Sequence, residues 1–166
     1  MKLLRIGDKG KEKPAILDDN NKIRSLEDYI DDFDSKNLNF ETIKKIENLN
    51  IESLKEIDKN SRIGPCVKNP GKFIAIGLNY SDHASESGMD IPKEPIIFHK
   101  ATSSIVGPND NVVMPKDSKK LDWEVEIGFV IGKEVKNITE QEAADYIFGY
   151  CIVNDVSERE WQIERG

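Results

Sequence analysis

The stretch Leu121–Gln162, LDWEVEIGFVIGKEVKNITEQEAADYIFGYCIVNDVSEREWQ, decides how the chain is read. Its opening alternates at period two. Trp123, Val125, Ile127, Phe129 and Ile131 fall on one side, with Glu124, Glu126, Gly128 and Val130 on the other, which predicts a strand. Successive strand side chains point to opposite faces, so Glu124 and Glu126 stand side by side and Gly128 leaves room above them. Like charges so placed repel and destabilise a strand unless both face water or a cation sits between them. The apolar opposite face predicts packing on at least one side.

Thr139 and Glu142 have the spacing of a capping box, and Ala143, Ala144, Tyr146 and Ile147 supply the apolar face of an expected helix. A second strand is predicted over Tyr150–Val153, ending at Asn154 and Asp155. If the chain then turns helical, Asp155, Arg159 and Gln162 share one face at spacings of four and three. Glu124, Glu126 and Asp155, brought together by two strand ends, suit a hard divalent ion with oxygen ligands: Mg²⁺ or Mn²⁺, with Ca²⁺ as an alternative, rather than zinc. Taken alone, the E-x-E pattern is weak evidence for a metal and fits a solvated strand face better.

Upstream, Lys72–Ile76 reads as a strand whose FIAI run is of the buried type. Ser81 is placed to cap a short helix that Gly88 ends. Within it His83 and Glu86 lie three apart and share a face. A carboxylate beside an imidazole raises its basicity and fixes its tautomer, as a water-activating base requires; the alternative is an ordinary surface helix. Met89–Pro95 is a polar, proline-marked loop which, with that helix, is placed to act as a lid. Ile96–Phe98 is a further buried strand. After it, His99 reads as structural, and Lys100 either meets an anionic substrate or reaches solvent. Val112–Met114 predicts another short strand.

Residues 1–65 read as a small α+β domain, with strands at Leu3–Ile6, Pro14–Leu17 and Lys22–Arg24. Leu26, Tyr29, Ile30 and Phe33 predict a helix face with Ser25 as N-cap, and Phe40, Ile43 and Ile46 a second helix after Asn39. No chemistry concentrates there, which leaves a packing or oligomer-forming role and a homodimer as the expected assembly. Asp58–Gly71, with Gly64, Pro65, Pro70 and Gly71, is a linker by composition, and residues 70–166 form the second unit.

The net charge of −7 argues against a partner bound through nucleic-acid phosphates. No run reaches membrane-span length, and the first residues lack a signal peptide's apolar core. Cys66 and Cys151 are too few and too far apart in sequence for a disulfide framework or a zinc site. A reduced cytoplasm is the expected compartment, with Cys151 a small core residue.

Four motifs in order, GKFIAIGLNYSDHASESG (71–88), PIIFHKATSSIVGPND (95–110), DWEVEIGFVIG (122–132) and GYCIVNDVSEREWQIERG (149–166), resemble the fumarylacetoacetate hydrolase family. The likeness is to its bacterial branch of ureidoglycolate lyases, hydroxymuconate-type isomerases and diketo-deoxy-sugar-acid hydrolases, enzymes of aromatic-compound or sugar-acid catabolism. It implies an α+β fold: a mainly β catalytic core of that type, behind a small N-terminal α+β domain. It also implies Glu124, Glu126 and Asp155 as ligands of Mg²⁺ or Mn²⁺, His83 and Glu86 as the water-activating pair, and Arg159 and Gln162 as substrate contacts, beside Lys100.

The implied reaction is C–C hydrolysis of a 1,3-dicarbonyl or 2-oxo acid through a metal-stabilised enolate. Isomerisation, lysis or decarboxylation of related oxo acids are alternatives that share this intermediate. The family's catalytic domain continues past the equivalent of Gly166, into a Lys-Gly segment and the strands that close its β-rich core. The expectation is therefore a set of metal ligands with part of the pocket wall lying beyond this sequence, and an inactive, metal-binding remnant is the competing reading.

Overall fold

The structure is a computed structural model that describes residues 1–86 and 88–165. Four antiparallel strands, β1 (Lys2–Ile6), β2 (Lys13–Leu17), β3 (Ile23–Ser25) and β4 (Glu56–Ile57), form a sheet in that spatial order. Helix α1 (Phe40–Glu47) starts where predicted, because the Asn39 side chain accepts the Thr42 N–H at 2.9 Å.

The helix expected over Leu26–Phe33 is instead a single turn, closed by Ile30 N–H to Leu26 C=O at 3.0 Å. Asp32 is diverted: it binds Arg5 and accepts the Phe33 N–H at 2.8 Å, a side-chain bond that competes with helical ones. The apolar side chains keep their expected partners. Leu26, Ile30 and Phe33 join Ile16, Ile46 and Leu54 in the main core.

The predicted linker is pinned along β1, with Gly7 N–H bonded to Arg62 C=O, Gly64 N–H to Arg5 C=O and Lys68 N–H to Phe33 C=O. Beneath it runs a partly buried chain of charges. Arg5 grips Asp32 at 2.6 and 3.0 Å and reaches Glu12 at 3.4 Å. Arg62 joins Glu12 at 2.7 Å to Asp110 at 2.6 and 2.7 Å. A Cβ on Gly107 would collide with the Ile63 carbonyl, so glycine there lets the 107–110 turn dock.

Two guanidinium hydrogen bonds and the Gly107 N–H hold the Asp110 carboxyl down, from 3.8 to about 2. Burial pushes Asp32 and Glu12 upward, but Arg5 with Lys68, and Arg62, outweigh it, so both also lie low. Groups depressed in the folded state contribute stability above their unfolded values that is lost as pH falls through the folded ones. Thermal melts are expected to hold level above about pH 5 and to fall between about pH 4 and 2. Asp110→Asn should flatten part of that fall.

The second unit is built from strand pairs. Strand β5 (Ile74–Gly77) pairs with β6 (Ile96–His99), β7 (Leu121–Asp122) with β10 (Ser157–Glu158), and β8 (Val125–Ile131) with β9 (Ile147–Asn154), all antiparallel. The capping box forms, since the Thr139 N–H and hydroxyl both reach Glu142 at 2.8 Å. It opens only a 3₁₀ turn at Ala143–Tyr146, because the β-prone run from Ile147 is already paired with β8. The strand expected at Val112–Met114 is absent; the segment ends at Pro115 and those three side chains are exposed.

The apolar side chains of this unit also depart from expectation. Val125, Ile127, Phe129 and Ile131 of β8, with Tyr150 and Ile152 of β9, present one exposed face; Ile127 is 71% and Ile152 83% exposed. The supposedly buried β5 and β6 expose Ile74, Ile76, Ile96, Ile97 and Phe98. Apart from Ala84, the buried hydrophobic residues all lie between Ile6 and Leu54 among the described residues. No described helix is long and apolar enough to cross a membrane.

Candidate functional site

The half-buried face of the β8–β9 pair carries Glu126, Gly128 and Val130 opposite Val153, Cys151 and Gly149. The space that glycine leaves at position 128 is taken by protein: a Cβ there would stand 2.7 Å from Val153 Cγ2 and 3.1 Å from Cys151 Sγ. Glu124 precedes β8, and backbone and side-chain bonds weld it to the end of β9. Its C=O accepts the Asp155 N–H at 2.9 Å, and its N–H is donated to Asn154 Oδ1 at 3.1 Å. The three candidate carboxylates thus stand on adjacent backbone where two strands finish.

Each carboxylate has a protein partner. Arg159 binds Glu124 and, at 3.0 Å, Asp122. Burial works against the Arg159 charge, yet these two carboxylates hold it, and the guanidinium is more basic than usual. Asn79 donates to Glu126 at 3.2 Å, and Lys100 pairs with Asp155. Even so, Asp155 Oδ1 is buried without a hydrogen-bond donor in good alignment: the ammonium lies against it off-axis. Such an atom is costly unless something else satisfies it. Among the described residues, no three carboxylate, imidazole or thiol groups close around a common point that would hold a metal ion. The donor chemistry is all oxygen, as a hard divalent ion requires.

Helix α2 (Ser81–Glu86) forms where expected, and Gly88, at φ +64°, lies just beyond it. It is tethered to the carboxylates by the residues before it: Asn79 reaches Glu126, and the Tyr80 hydroxyl reaches Val125 C=O at 3.4 Å. Leu78 takes a left-handed backbone (φ +48°) to turn β5 into that approach, a costly conformation for a bulky residue. His83 and Glu86 are both exposed, and no hydrogen bond or ion pair joins them among the described residues. Arg159 and Gln162 do meet, at 3.0 Å, across the start of a π-helical turn at Glu160–Glu164. Asp155 does not share a helical face with them, because Ser157–Glu158 form β10, and its carboxylate pairs with Lys100.

Sequence reasoning passed over Asn79, Tyr80 and Asp122. The signal for Asn79 and Tyr80 was their place between a strand end and a helix start, where polar side chains project from a turn. Asp122 carried no comparable mark.

The family model described as fumarylacetoacetate (FAA) hydrolase C-terminal matches residues 72–166. A Burkholderia ambifaria protein, provisionally named a hydrolase, is 54% identical over all 166 residues, which are 59% of its own length. The fumarylacetoacetate hydrolase of psychrophilic Exiguobacterium antarcticum is 26% identical, with a TM-score of 0.77 over 99% of this chain and 59% of that one. The 5-carboxymethyl-2-hydroxymuconate delta-isomerase of Mycobacterium smegmatis is 27% identical, with a TM-score of 0.70 over 99% of this chain and 57% of that one. The chain therefore spans less than two thirds of the length of the curated relatives it matches. The matched segment runs from before β5 through both carboxylate-bearing strand ends, more than half of the chain, and the chain belongs to the fumarylacetoacetate hydrolase family.

Proposed function

We propose that this chain carries the metal-ligand and lid portion of an enzyme that hydrolyses a C–C bond in a 1,3-dicarbonyl or 2-oxo acid. The observation that carries the reading is the welded end of β8 and β9. There Glu124, Glu126 and Asp155 meet two cationic side chains, and one buried carboxylate oxygen lacks an aligned donor. Glu124, Glu126 and Asp155 would hold Mg²⁺ or Mn²⁺. When bound, such an ion supplies Lewis-acid stabilisation of enolate charge.

The remaining tasks fall to the protein. Lys100 and Arg159 have the charge to hold an oxo acid's carboxylate, Arg159 by two parallel hydrogen bonds. Gln162 steadies Arg159. His83, on the exposed helix whose preceding residues touch Glu126, would take a proton from attacking water as the helix closes, with Glu86 one turn on orienting it. A homodimer would give the open apolar faces a partner surface. Isomerisation is the second reading, supported by the solved isomerase relative, because it requires the same enolate.

Thermal melts with and without Mg²⁺ or Mn²⁺ test the ligands: an ion that binds only the folded state raises Tm by mass action. The rise is expected in the parent and absent in Glu126→Gln. A cooperative melt that metals leave unmoved would refute the assignment. Product analysis on acylpyruvates and diketo acids then separates hydrolysis from isomerisation.

A further inference from the structure

Cys66 and Cys151 stand 85 positions apart in sequence, and composition gave no reason to connect them. The fold brings both cysteines to one surface between the two units. They line one cavity of about 280 Å³ between the N-terminal unit (Met1, Leu3, Phe33) and the inner face of β8–β9 (Val130, Cys151). Neither sulfur is placed by chance. Cys66 lies on the pinned linker, between Pro65, whose carbonyl accepts from Arg5 at 3.3 Å, and Lys68, whose N–H is bonded to Phe33. Cys151 sits opposite Gly128 in the middle of the longest strand pair, where only a glycine leaves room for its sulfur.

We infer that Cys66 and Cys151 form a reversible disulfide that staples the linker of the N-terminal unit to β9, the strand that leads into Asp155. Both cysteines line the same cavity between the two units, so a bond between them would join the linker to β9 across it.

The environment divides the labour between the sulfurs. Interaction with Cys151 pushes the Cys66 thiol up, and the same interaction draws Cys151 down to about 7. Cys151 is therefore the thiolate and the attacking group. With a hydroperoxide as oxidant, the Cys151 thiolate attacks one peroxide oxygen. The O–O bond breaks, hydroxide leaves, and Cys151 becomes a sulfenic acid. Cys66, giving up its proton, then attacks the Cys151 sulfur. The S–O bond breaks, and hydroxide departs with that proton as water. Two thiols are oxidised to one disulfide, and one hydrogen peroxide is reduced to two waters. A dithiol reverses the step.

The test treats the purified full chain with hydrogen peroxide, then maps peptides without reduction. A Cys66–Cys151 cross-linked peptide in a monomer, lost on adding dithiothreitol, is the expected result. The closed loop is long, so the oxidised chain should melt roughly 10 °C above the reduced one. Cys66→Ala, which removes the less buried partner, should lose that rise and leave a trappable sulfenic acid at Cys151. A sulfinic acid at Cys151 without the cross-link, or a disulfide between two chains, would overturn the inference.

Discussion

Arg5→Met is expected to lower folding stability by about 3–5 kcal/mol, measured by urea denaturation at neutral pH. Arg5 is 4% exposed, and its guanidinium makes the two bonds to Asp32 and the longer one to Glu12. Removing the cation leaves two buried carboxylates that water does not reach. That is the expensive way to break a buried ion pair, since the surviving charge keeps its desolvation cost and loses its compensation. Lys68, 3.1 Å from Asp32, and Arg62, 2.7 Å from Glu12, recover part of the loss, so the effect should sit toward the lower end. The methionine fills the space of the aliphatic stem, which separates the electrostatic effect from a cavity effect. A loss under about 1 kcal/mol would mean that those two cations carry the cluster alone.

Asp155→Asn is expected to abolish the Mn²⁺-dependent rise in Tm and, under the proposed function, to cut turnover of an acylpyruvate by roughly 10²–10³-fold. The substitution keeps the shape and the backbone bond to Glu124. What changes is charge: the buried Oδ1 remains, but as a neutral amide oxygen, and Lys100 loses its counter-ion. Lys100→Met separates the causes. If Lys100 competes with the ion for Asp155, metal binding tightens in Lys100→Met while substrate binding weakens. Unchanged turnover in Asp155→Asn would remove Asp155 from the chemistry.

The strands of residues 1–25 and the helix after Asn39 were legible because their patterns are local: alternation, turn clusters and an Asn cap act within a few positions. The helices expected at Leu26 and Thr139 failed for a shared reason. Their apolar periodicity or capping was present, but Asp32 was drawn away to Arg5 in one case and Ile147 to β8 in the other. Such long-range competition leaves no mark in a short window.

At the site, the order of motifs identified the strand ends and the tethered helix. It did not reveal that Lys100 and Arg159 would be paired to carboxylates, because partner choice depends on how turns bring distant residues together. The same holds for Cys66 and Cys151, which lie far apart in sequence and line one cavity in the fold.

The concentration of buried apolar side chains between Ile6 and Leu54 leaves the two halves of the chain unlike in their packing. Local opening is cheapest where few apolar contacts close over the backbone, and here that is the half with the carboxylates and α2. A molecule bridging the β8–β9 end to that helix would close over backbone that few apolar contacts now cover, so part of its intrinsic affinity would go into holding its own binding surface together. The N-terminal half, with its own buried core, would serve as the platform for that closure.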